Sequence, residues 1–229
     1  MALDPLDVLR TVPLFRQVPE ADLVAFAQLV RGRRQSRGSM ILSQGDRGDA
    51  LFLIRSGQVK VSVVAEDGRE VILSVLGPGS FFGEMALLDD EPRSAHVIAM
   101  EDTELLQLHR EDFQHRLKRS PELAVSLLRE LSQRLRRADD TIASLMLLDV
   151  NGRLANLLLE LAREEGGETG IRITRRLTHA SLGQMVGASR ETVSRTMRNL
   201  VLRNVISVTR RETVLLDPHA LRLAAQRAV

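Results

Sequence analysis

The spacing of hydrophobic positions changes along the chain, and each change predicts a different kind of structure. Residues 3–30 follow a helical spacing, with Asp22 as the expected cap of a run that contains Leu23 and Phe26. From about residue 38 to 108, hydrophobic residues form short β-branched or alternating runs between glycine turns. These runs are LFLIRSG, QVKVSVV, REVILSVL and AHVIAM. Short strands separated by tight turns predict an antiparallel barrel or jelly roll.

A long helix is predicted after Ser120-Pro121, because the residues up to Asp149 include neither glycine nor proline and are rich in Leu, Arg and Ala. Along it, a narrow apolar stripe alternates spacings of three and four. The stripe consists of Leu128, Leu131, Leu135, Ala138, Ile142 and Leu145. Packing on a core uses a wider apolar face, so we interpret the stripe as a dimer seam, with core packing as the alternative.

The pair Asn151-Gly152 predicts a hinge at residues 149–152. A second helix is expected from Arg153 to Arg163, ending in the glycine-rich loop EEGGETG. The hinge would separate the long helix from the last third of the chain.

The stretch LTHASLGQMVGASRETVSRTMRNLVLRN has the pattern of a helix-turn-helix. One helix leads to a turn at Gly187-Ala188, and Ser189 caps a second helix. On that second helix Val193 and Met197 define an apolar face, and arginines occupy the opposite one. The following VISVTRRETVLLD predicts a two-stranded wing with a basic tip.

Arginine can donate two hydrogen bonds to guanine in the major groove, and glutamate can accept one from cytosine. The predicted DNA-facing residues are Ser189, Arg190, Glu191, Thr192, Arg195 and Arg198, with Arg211 on phosphates from the wing. The alternative is that Glu191 only complements the helix dipole and that the arginines are solvated.

Composition supports this division. Residues 151–229 contain 13 Lys and Arg against 7 Asp and Glu, whereas residues 1–150 contain 19 against 23. An anionic partner for the last third is therefore expected, and the alternative is a basic face that is simply solvated.

The absence of cysteine excludes disulfides and thiolate chemistry. With neither a signal-peptide pattern nor a membrane-length apolar run, we expect a cytoplasmic protein without a membrane partner.

Two groups of residues that could suggest an enzyme or a metal site have simpler explanations. The carboxylates of Asp89, Asp90 and Glu91 lie in what looks like an exposed turn before Pro92. The five histidines show no metal-ligand spacing. We expect neither catalysis nor a bound metal.

Two motifs resemble one known family. FGEMALLDDEPRSA resembles the phosphate-binding cassette of cyclic-nucleotide-binding domains, and LDVNGRLA and GASRETVSR resemble the hinge and recognition helix of the cyclic AMP receptor protein family of bacterial transcription regulators. The resemblance covers roughly residues 10–216, in the family's order. It implies an α+β chain with a cyclic-nucleotide-binding β-roll (jelly roll) at 1–120, a dimerisation helix at 121–149 and a winged helix-turn-helix at 150–229.

The resemblance also implies a cyclic nucleotide as allosteric ligand. Arg93 would bind the cyclic phosphate through both arms of its guanidinium, Ser94 would donate to the phosphate, and Glu84 would accept from the ribose 2′-hydroxyl. Backbone N–H groups around Gly83, Glu84, Met85 and Ala86 would complete the anion site. The alternative is a structural salt bridge between Glu84 and Arg93.

One departure from the family concerns the base. Ala138 and Asp139 occupy the positions where a Thr-Ser pair is expected to contact the adenine amine. Asp139, or Thr141 after a small shift, could accept from that amine, but Ala138 cannot. Guanine, which has a carbonyl at this edge, should be disfavoured by Asp139.

Arg190, Glu191 and Arg195 match the family's reading positions, so the resemblance implies half-sites that resemble TGTGA. Together with the other observations it predicts a homodimeric regulator that binds a palindromic operator of this kind under the control of cyclic AMP, with RNA polymerase as a further partner. Two alternatives stay open. The same architecture could be independent of ligand or respond to another small molecule, or a nucleotide-binding module could control a partner enzyme without any DNA role.

Overall fold

The computed structural model describes residues 4–165, 171–174, 177–209 and 211–226. The chain divides into two compact units, residues 1–135 and residues 136–229, which are described separately. One helix, α5 (Pro121–Leu147), contributes residues to both.

The first unit has short helices at its beginning and end and one short helix between its strands. Before α5 come α1 (Pro5–Thr11), a 3-10 turn (Pro13–Phe15), α2 (Glu20–Ala27), α3 (Met85–Leu88) and α4 (Arg110–Arg119). Because α2 begins after Pro19, Asp22 lies in its first turn, and the prediction that Asp22 is the cap was wrong. Ser120 caps α5, since its hydroxyl accepts from the backbone N–H of Leu123 at 3.3 Å.

Two antiparallel four-stranded sheets form the body of the first unit. The strands are β1 (Arg31–Gln35), β2 (Met40–Leu42), β3 (Ala50–Ser56), β4 (Val59–Val64), β5 (Glu70–Leu76), β6 (Phe81–Phe82), β7 (His96–Ala99) and β8 (Thr103–His109). One sheet has the order β1-β8-β3-β6 and the other β2-β7-β4-β5. This is the predicted β-roll, although its first strand begins before residue 38.

Strand β3 lies at the centre of the first unit because both of its faces are buried. Leu51 and Leu53 point into a core shared with the N-terminal helices, α4 and the start of α5. The alternate residues Phe52 and Ile54 point into a second core between the sheets. There the Phe52 ring stacks on Phe82, with centroids 5.3 Å apart. Burial on both faces explains why β3 is a continuous apolar run.

The second unit is a winged helix-turn-helix. Its elements are α6 (Val150–Glu165), β9 (Arg172–Ile173), α7 (His179–Val186), α8 (Arg190–Leu202), β10 (Ile206–Val208), β11 (Thr213–Leu215) and α9 (Pro218–Ala224). The wing is a sheet of order β10-β11-β9. The core of the second unit consists largely of apolar residues of α6, α7 and α8, including Leu158, Leu182 and Val193.

The break between α5 and α6 falls at Leu148 and Asp149. The Asp149 carboxylate accepts from the backbone N–H of Gly152 at 2.7 Å and so caps α6. Asn151 and Gly152 therefore lie inside the helix, and the prediction that this pair loosens the chain was wrong. Asn151 is held further by Thr196, whose hydroxyl donates to its side-chain oxygen at 2.9 Å.

The turn between α7 and α8 depends on two glycines. Gly187 ends α7 in the left-handed conformation, with φ of 64°. Gly183 lies where the turn folds back on the helix, so a Cβ atom there would be 2.6 Å from the carbonyl oxygen of Ala188. Close packing at Gly183 sets how near α8 approaches α7.

Gly183→Ala should therefore destabilise the second unit. Alanine improves helix propensity by about 1 kcal/mol, but the overlap with the Ala188 carbonyl should outweigh this and leave a net loss of about 1–3 kcal/mol in the free energy of unfolding. Urea unfolding followed by circular dichroism measures the loss. Gly32→Ala is the control, because beyond residue 32 and its two chain neighbours no atom lies within 4 Å of the added methyl group. Equal stability of the two variants would contradict the steric argument.

Candidate functional site

The predicted phosphate-binding cassette forms one compact loop between β6 and β7. Gly83 follows β6 with φ of +86°, a conformation that favours glycine, and a Cβ atom there would be 2.8 Å from Nη1 of Arg93. Ala86 is buried and lies close to Gly48, where a Cβ atom would be 2.6 Å from that of Ala86. The loop therefore folds tightly around the Arg93 guanidinium.

Arg93 is a buried cation with only 4% of its surface exposed. Nη1 donates to the Gly83 carbonyl at 2.6 Å and Nη2 to the Ala50 carbonyl at 2.8 Å, and Asp49 lies 3.5 Å from Nη2. Burial lowers the pKa of Arg93, and the Asp49 carboxylate opposes that effect. Its Nε atom is buried without a hydrogen-bond partner among the described residues.

Glu84 is a buried anion, 2% exposed, and its partner was not predicted from the sequence. Oε1 accepts from Nη1 of Arg134 on α5 at 2.7 Å. Arg134 also donates to the Phe81 carbonyl at 2.7 Å and lies over the Phe81 ring at 4.4 Å. The second oxygen, Oε2, is buried and has no partner within the described part of the chain. The ion pairs of Glu84 and Arg93 are thus with Arg134 and Asp49 rather than with each other.

The other cassette residues are close by and more accessible. Ser94 is exposed, and its hydroxyl donates to the Met85 sulfur at 3.9 Å. Met85 and Ala86 begin α3, and the first N–H groups of a helix have no acceptor within it. The structure thus brings together Gly83, Glu84, Met85, Ala86, Arg93 and Ser94.

Arg110 holds the cassette from outside and was also missed from the sequence. Its Nε donates to the Gly48 carbonyl at 2.9 Å, and its other nitrogens bind the Ala86 carbonyl and the carboxylate of Asp90. Asp90, placed by the sequence in an exposed turn, adopts a positive φ of 61° beside this contact. No local pattern marks Arg110, because its partners are far away in the sequence.

The seam residues on α5 differ in exposure. Leu128, Leu135, Ile142 and Leu145 are 63%, 64%, 56% and 47% exposed, and Ala138 is exposed as well. Leu131 instead packs partly against the core of the first unit. Asp139 is exposed, and the Thr141 hydroxyl donates to the Arg137 carbonyl at 2.8 Å. Large exposed apolar residues on one helix are typical of an interaction surface.

The second helix of the helix-turn-helix, α8, has the two faces that the sequence predicts. Ser189 caps it by accepting from the Thr192 N–H at 3.1 Å. Val193 and Met197 are buried. The polar face exposes Arg190, Glu191, Arg195 and Arg198, and Arg211 is exposed in the wing. None of these arginines forms an ion pair with another described residue.

Glu191 also has a local role at the start of α8. Hydrogen bonds from its own backbone N–H and from the Ser189 hydroxyl lower the pKa of Glu191. A carboxylate in the first turn is favoured by the helix dipole, as the alternative interpretation holds. The Glu191 side chain is exposed all the same, on the polar face of α8.

The remaining predictions concern metal ligands, membrane-spanning helices, the EEGGETG loop and the tip of the wing. Within the described ranges, no three His, Cys, Asp or Glu side chains come together as metal ligands. Among the described helices, none combines the length and apolar character that crossing a bilayer requires. Most of the EEGGETG loop, and Arg210 at the wing tip, lie outside the described residues.

Both units match known families. Residues 33–120 match the cyclic nucleotide-binding domain, and residues 152–224 match the Crp-like helix-turn-helix domain. The chain is 38% identical to the "Cyclic AMP receptor protein" of Thermus thermophilus, over 93% of this chain and 98% of that protein. It is 32% identical to the "CRP-like cAMP-activated global transcriptional regulator" of Mycobacterium tuberculosis, over 94% and 97%.

Solved structures agree in fold. The catabolite activator protein of Thermus thermophilus is 36% identical, with a TM-score of 0.53 over 93% of this chain and 98% of that one. FixK2 from Bradyrhizobium japonicum has a TM-score of 0.78 at 21% identity, over 87% and 99%, and this shows similarity of fold alone. With a nucleotide-binding β-roll, a Crp-like helix-turn-helix and relatives matched over nearly their whole length, the chain belongs to the cyclic AMP receptor protein and fumarate-nitrate regulator family of transcription regulators.

Proposed function

We propose that this protein is a homodimeric transcription regulator whose binding to a palindromic, TGTGA-like operator is controlled by cyclic AMP. One observation supports the ligand above all others. Glu84 Oε2 and Arg93 Nε are buried polar atoms without partners among the described residues, and both belong to the cassette. Buried polar groups are normally satisfied, so two such atoms in one loop suggest that a polar ligand supplies the missing contacts.

A cyclic nucleotide fits these atoms by charge. Its phosphate is an anion suited to Arg93 and to the amides that begin α3, with the exposed Ser94 hydroxyl as a further donor. Its ribose offers a hydroxyl that can donate to Glu84. The two arms of Arg93 now bind carbonyl oxygens, so a phosphate would exchange those neutral acceptors for charged ones.

Arg134 offers a direct link from this ligand to the long helix. It pairs with Glu84 from α5, the helix with the exposed seam residues. A ribose at Glu84 would change the environment of this ion pair and so affect α5. A ligand shifts such an equilibrium only by its differential affinity for the two states, and the Glu84–Arg134 contact is where that difference would arise.

Base selection would rest on the exposed Asp139. Its carboxylate can accept from the adenine amine, whereas the guanine carbonyl at the same edge would meet another acceptor. Thr141 could also accept, because its hydroxyl donates its proton to the Arg137 carbonyl and keeps its lone pairs free. Ala138 contributes no hydrogen bond.

The operator assignment rests on α8. Arg190, Glu191 and Arg195 are exposed on one face of a helix whose other face is buried, as a major-groove helix requires. Two such helices in a dimer would read half-sites one DNA turn apart, so the operator should be palindromic.

RNA polymerase is a further proposed partner, and the cytoplasm is the proposed compartment. The named relatives are regulators, and we propose no enzymatic activity.

A second candidate is the same architecture with another small ligand, or with none. The observation that favours it is that Arg134 already neutralises Glu84, while Ala138 and Asp139 replace the expected base-contacting pair. In that case DNA binding would be the same with and without cyclic AMP.

Arg93→Leu should abolish cyclic AMP binding. The variant loses charge-assisted hydrogen bonds to the phosphate worth about 1.5–3 kcal/mol each, so calorimetry should show affinity lowered by about a hundredfold or more. Arg93→Lys retains the charge but not the two-armed geometry, so its affinity for cyclic AMP should lie between those of Arg93→Leu and the wild type. Arg69→Leu, at an exposed hairpin, is the control and should bind normally. Unchanged affinity in a folded Arg93→Leu protein would remove the phosphate site.

Glu84→Gln should reduce the preference for ribose over deoxyribose. We expect the wild type to bind cyclic AMP about tenfold more tightly than its 2′-deoxy analogue, since a hydrogen bond to a carboxylate contributes about 1.5–3 kcal/mol. The variant should bind the two nucleotides within about threefold of each other. If the wild type did not discriminate between them, Glu84 would have no ribose role.

Glu191→Ala and Arg211→Ala should affect DNA binding differently. Loss of Glu191 should relax base choice at one position of each half-site by about 1–3 kcal/mol, as selection from a randomised duplex pool would reveal. Loss of Arg211 should weaken all sequences alike and lower the slope of log affinity against log salt by about one per protomer. Selection of a motif unlike TGTGA by the wild type would refute the reading assignment.

A further inference from the structure

A cleft of about 520 Å³ lies within the second unit, outside the cassette and the DNA-facing surface. Its walls are the C-terminal half of α5, the length of α6 and the end of α7. Pockets for small molecules usually occupy about 300–1,000 Å³. Of the predicted seam residues, Leu145 alone lines it, so the cleft is largely distinct from that surface.

The lining changes character along the cleft. Near the break between α5 and α6 most of the lining is apolar, with Leu145, Leu148, Leu157, Met185 and Val186, and Ser144, Arg153 and Asn156 lie among them. Arg137 and Arg163 line it much farther from the break, at about 15–20 Å along their helices for a rise of 1.5 Å per residue. An apolar interior with cations at one end matches an amphipathic anion.

These two arginines are available for a ligand. In the part of the chain that the structure describes, neither Arg137 nor Arg163 side chain forms an ion pair or a hydrogen bond. Arg153, which also lines the cleft, is different, because it donates to the carbonyls of Val186 and Leu148 at 2.8 Å each. Arg153 therefore holds the wall together, and the free charge belongs to the other two.

The cleft lining has three arginines, Arg137, Arg153 and Arg163, against two acidic residues, Asp140 and Glu160. Burial is the main reason why the pKa of Glu160 is raised; Glu164 and Asp140 add to it, and Arg137 and Arg163 oppose it. Asp140 is the other acidic side chain in the lining, and it is exposed.

We propose that this cleft is a second ligand site, separate from the nucleotide cassette, which binds a small amphipathic carboxylate. Its carboxylate is held between Arg137 and Arg163, and its apolar tail lies on the leucines and Met185. Because the lining includes α5, α6 and the end of α7, an occupied cleft links the long helix to the helix-turn-helix and thereby influences DNA binding.

The test is calorimetric titration of the full-length protein with decanoate, decanol and decylammonium, all below their aggregation limits. We expect decanoate to bind about tenfold or more tightly than decanol, and decylammonium to bind most weakly. Arg137→Gln/Arg163→Gln should lower decanoate affinity about tenfold and leave decanol affinity unchanged. The control Arg136→Gln/Arg203→Gln removes the same charge from exposed residues outside the cleft and should bind decanoate normally.

Three results would overturn the proposal. They are no measurable decanoate binding, equal binding of all three probes, or equal weakening by the control pair. Repeating the titration with saturating cyclic AMP tests the location, because displacement of decanoate by the nucleotide would assign both to one pocket. Thermal unfolding of each variant establishes that it is folded, and Arg137→Lys/Arg163→Lys, which retains both charges, should restore most of the affinity.

Discussion

The burial of two opposite charges in one short loop is the constraint on which the nucleotide-binding unit depends. Glu84 and Arg93 are both almost fully removed from water. A buried charge that lacks its ion-pair partner typically lowers stability by about 3–5 kcal/mol. The surrounding elements must therefore supply a partner for each of the two residues. Backbone carbonyls of β3 and the cassette accept hydrogen bonds from Arg93, and a side chain from α5 pairs with Glu84. The β-roll and the start of the long helix are therefore held by the same charges that suit a nucleotide.

Glu84 and Arg93 have only part of their possible hydrogen bonds within the described residues, and this favours binding of a polar ligand. A fully satisfied loop would have no need of a ligand, and an unsatisfied one would destabilise the fold. Here each residue has a partner and one atom without any within the described residues. Arg134 connects α5 to the cassette. Its side chain donates to Glu84 and to the Phe81 carbonyl, and it lies over the Phe81 ring. A ligand that redirects Glu84 acts on a residue of α5, which also continues into the second unit.

Local features of the fold could be predicted from the sequence, whereas contacts between distant segments could not. The turn at Gly187, the Ser189 cap and the two-faced α8 follow from neighbouring residues, and the structure has each of them. The four glycine-bounded apolar runs likewise predicted β3, β4, β5 and β7, whereas β2, β6 and β8 lie in the predicted β region but in none of these runs. Strand β1 was missed because RGRRQ has no apolar alternation and forms only by pairing with β8, more than 65 residues away.

Two further errors involve polar contacts with distant residues, in the first case together with a local cap. Asn151-Gly152 looks like a loose dipeptide, but the Asp149 cap and the Thr196 hydroxyl hold it in a helix. Arg134 lies 50 residues after Glu84, and its neighbours on α5 give no sign of this partner. Long-range polar contacts thus decide details that propensity alone leaves open.

Cyclic AMP is proposed to control DNA binding through the cassette. The most direct test is fluorescence anisotropy of a labelled TGTGA-type palindromic duplex, titrated with the protein at one fixed salt concentration without nucleotide, with cyclic AMP and with cyclic GMP. We expect tight binding only with cyclic AMP. Equal affinity in all three conditions would contradict nucleotide control and would assign this chain to a regulator that is constitutive or responds to a different ligand.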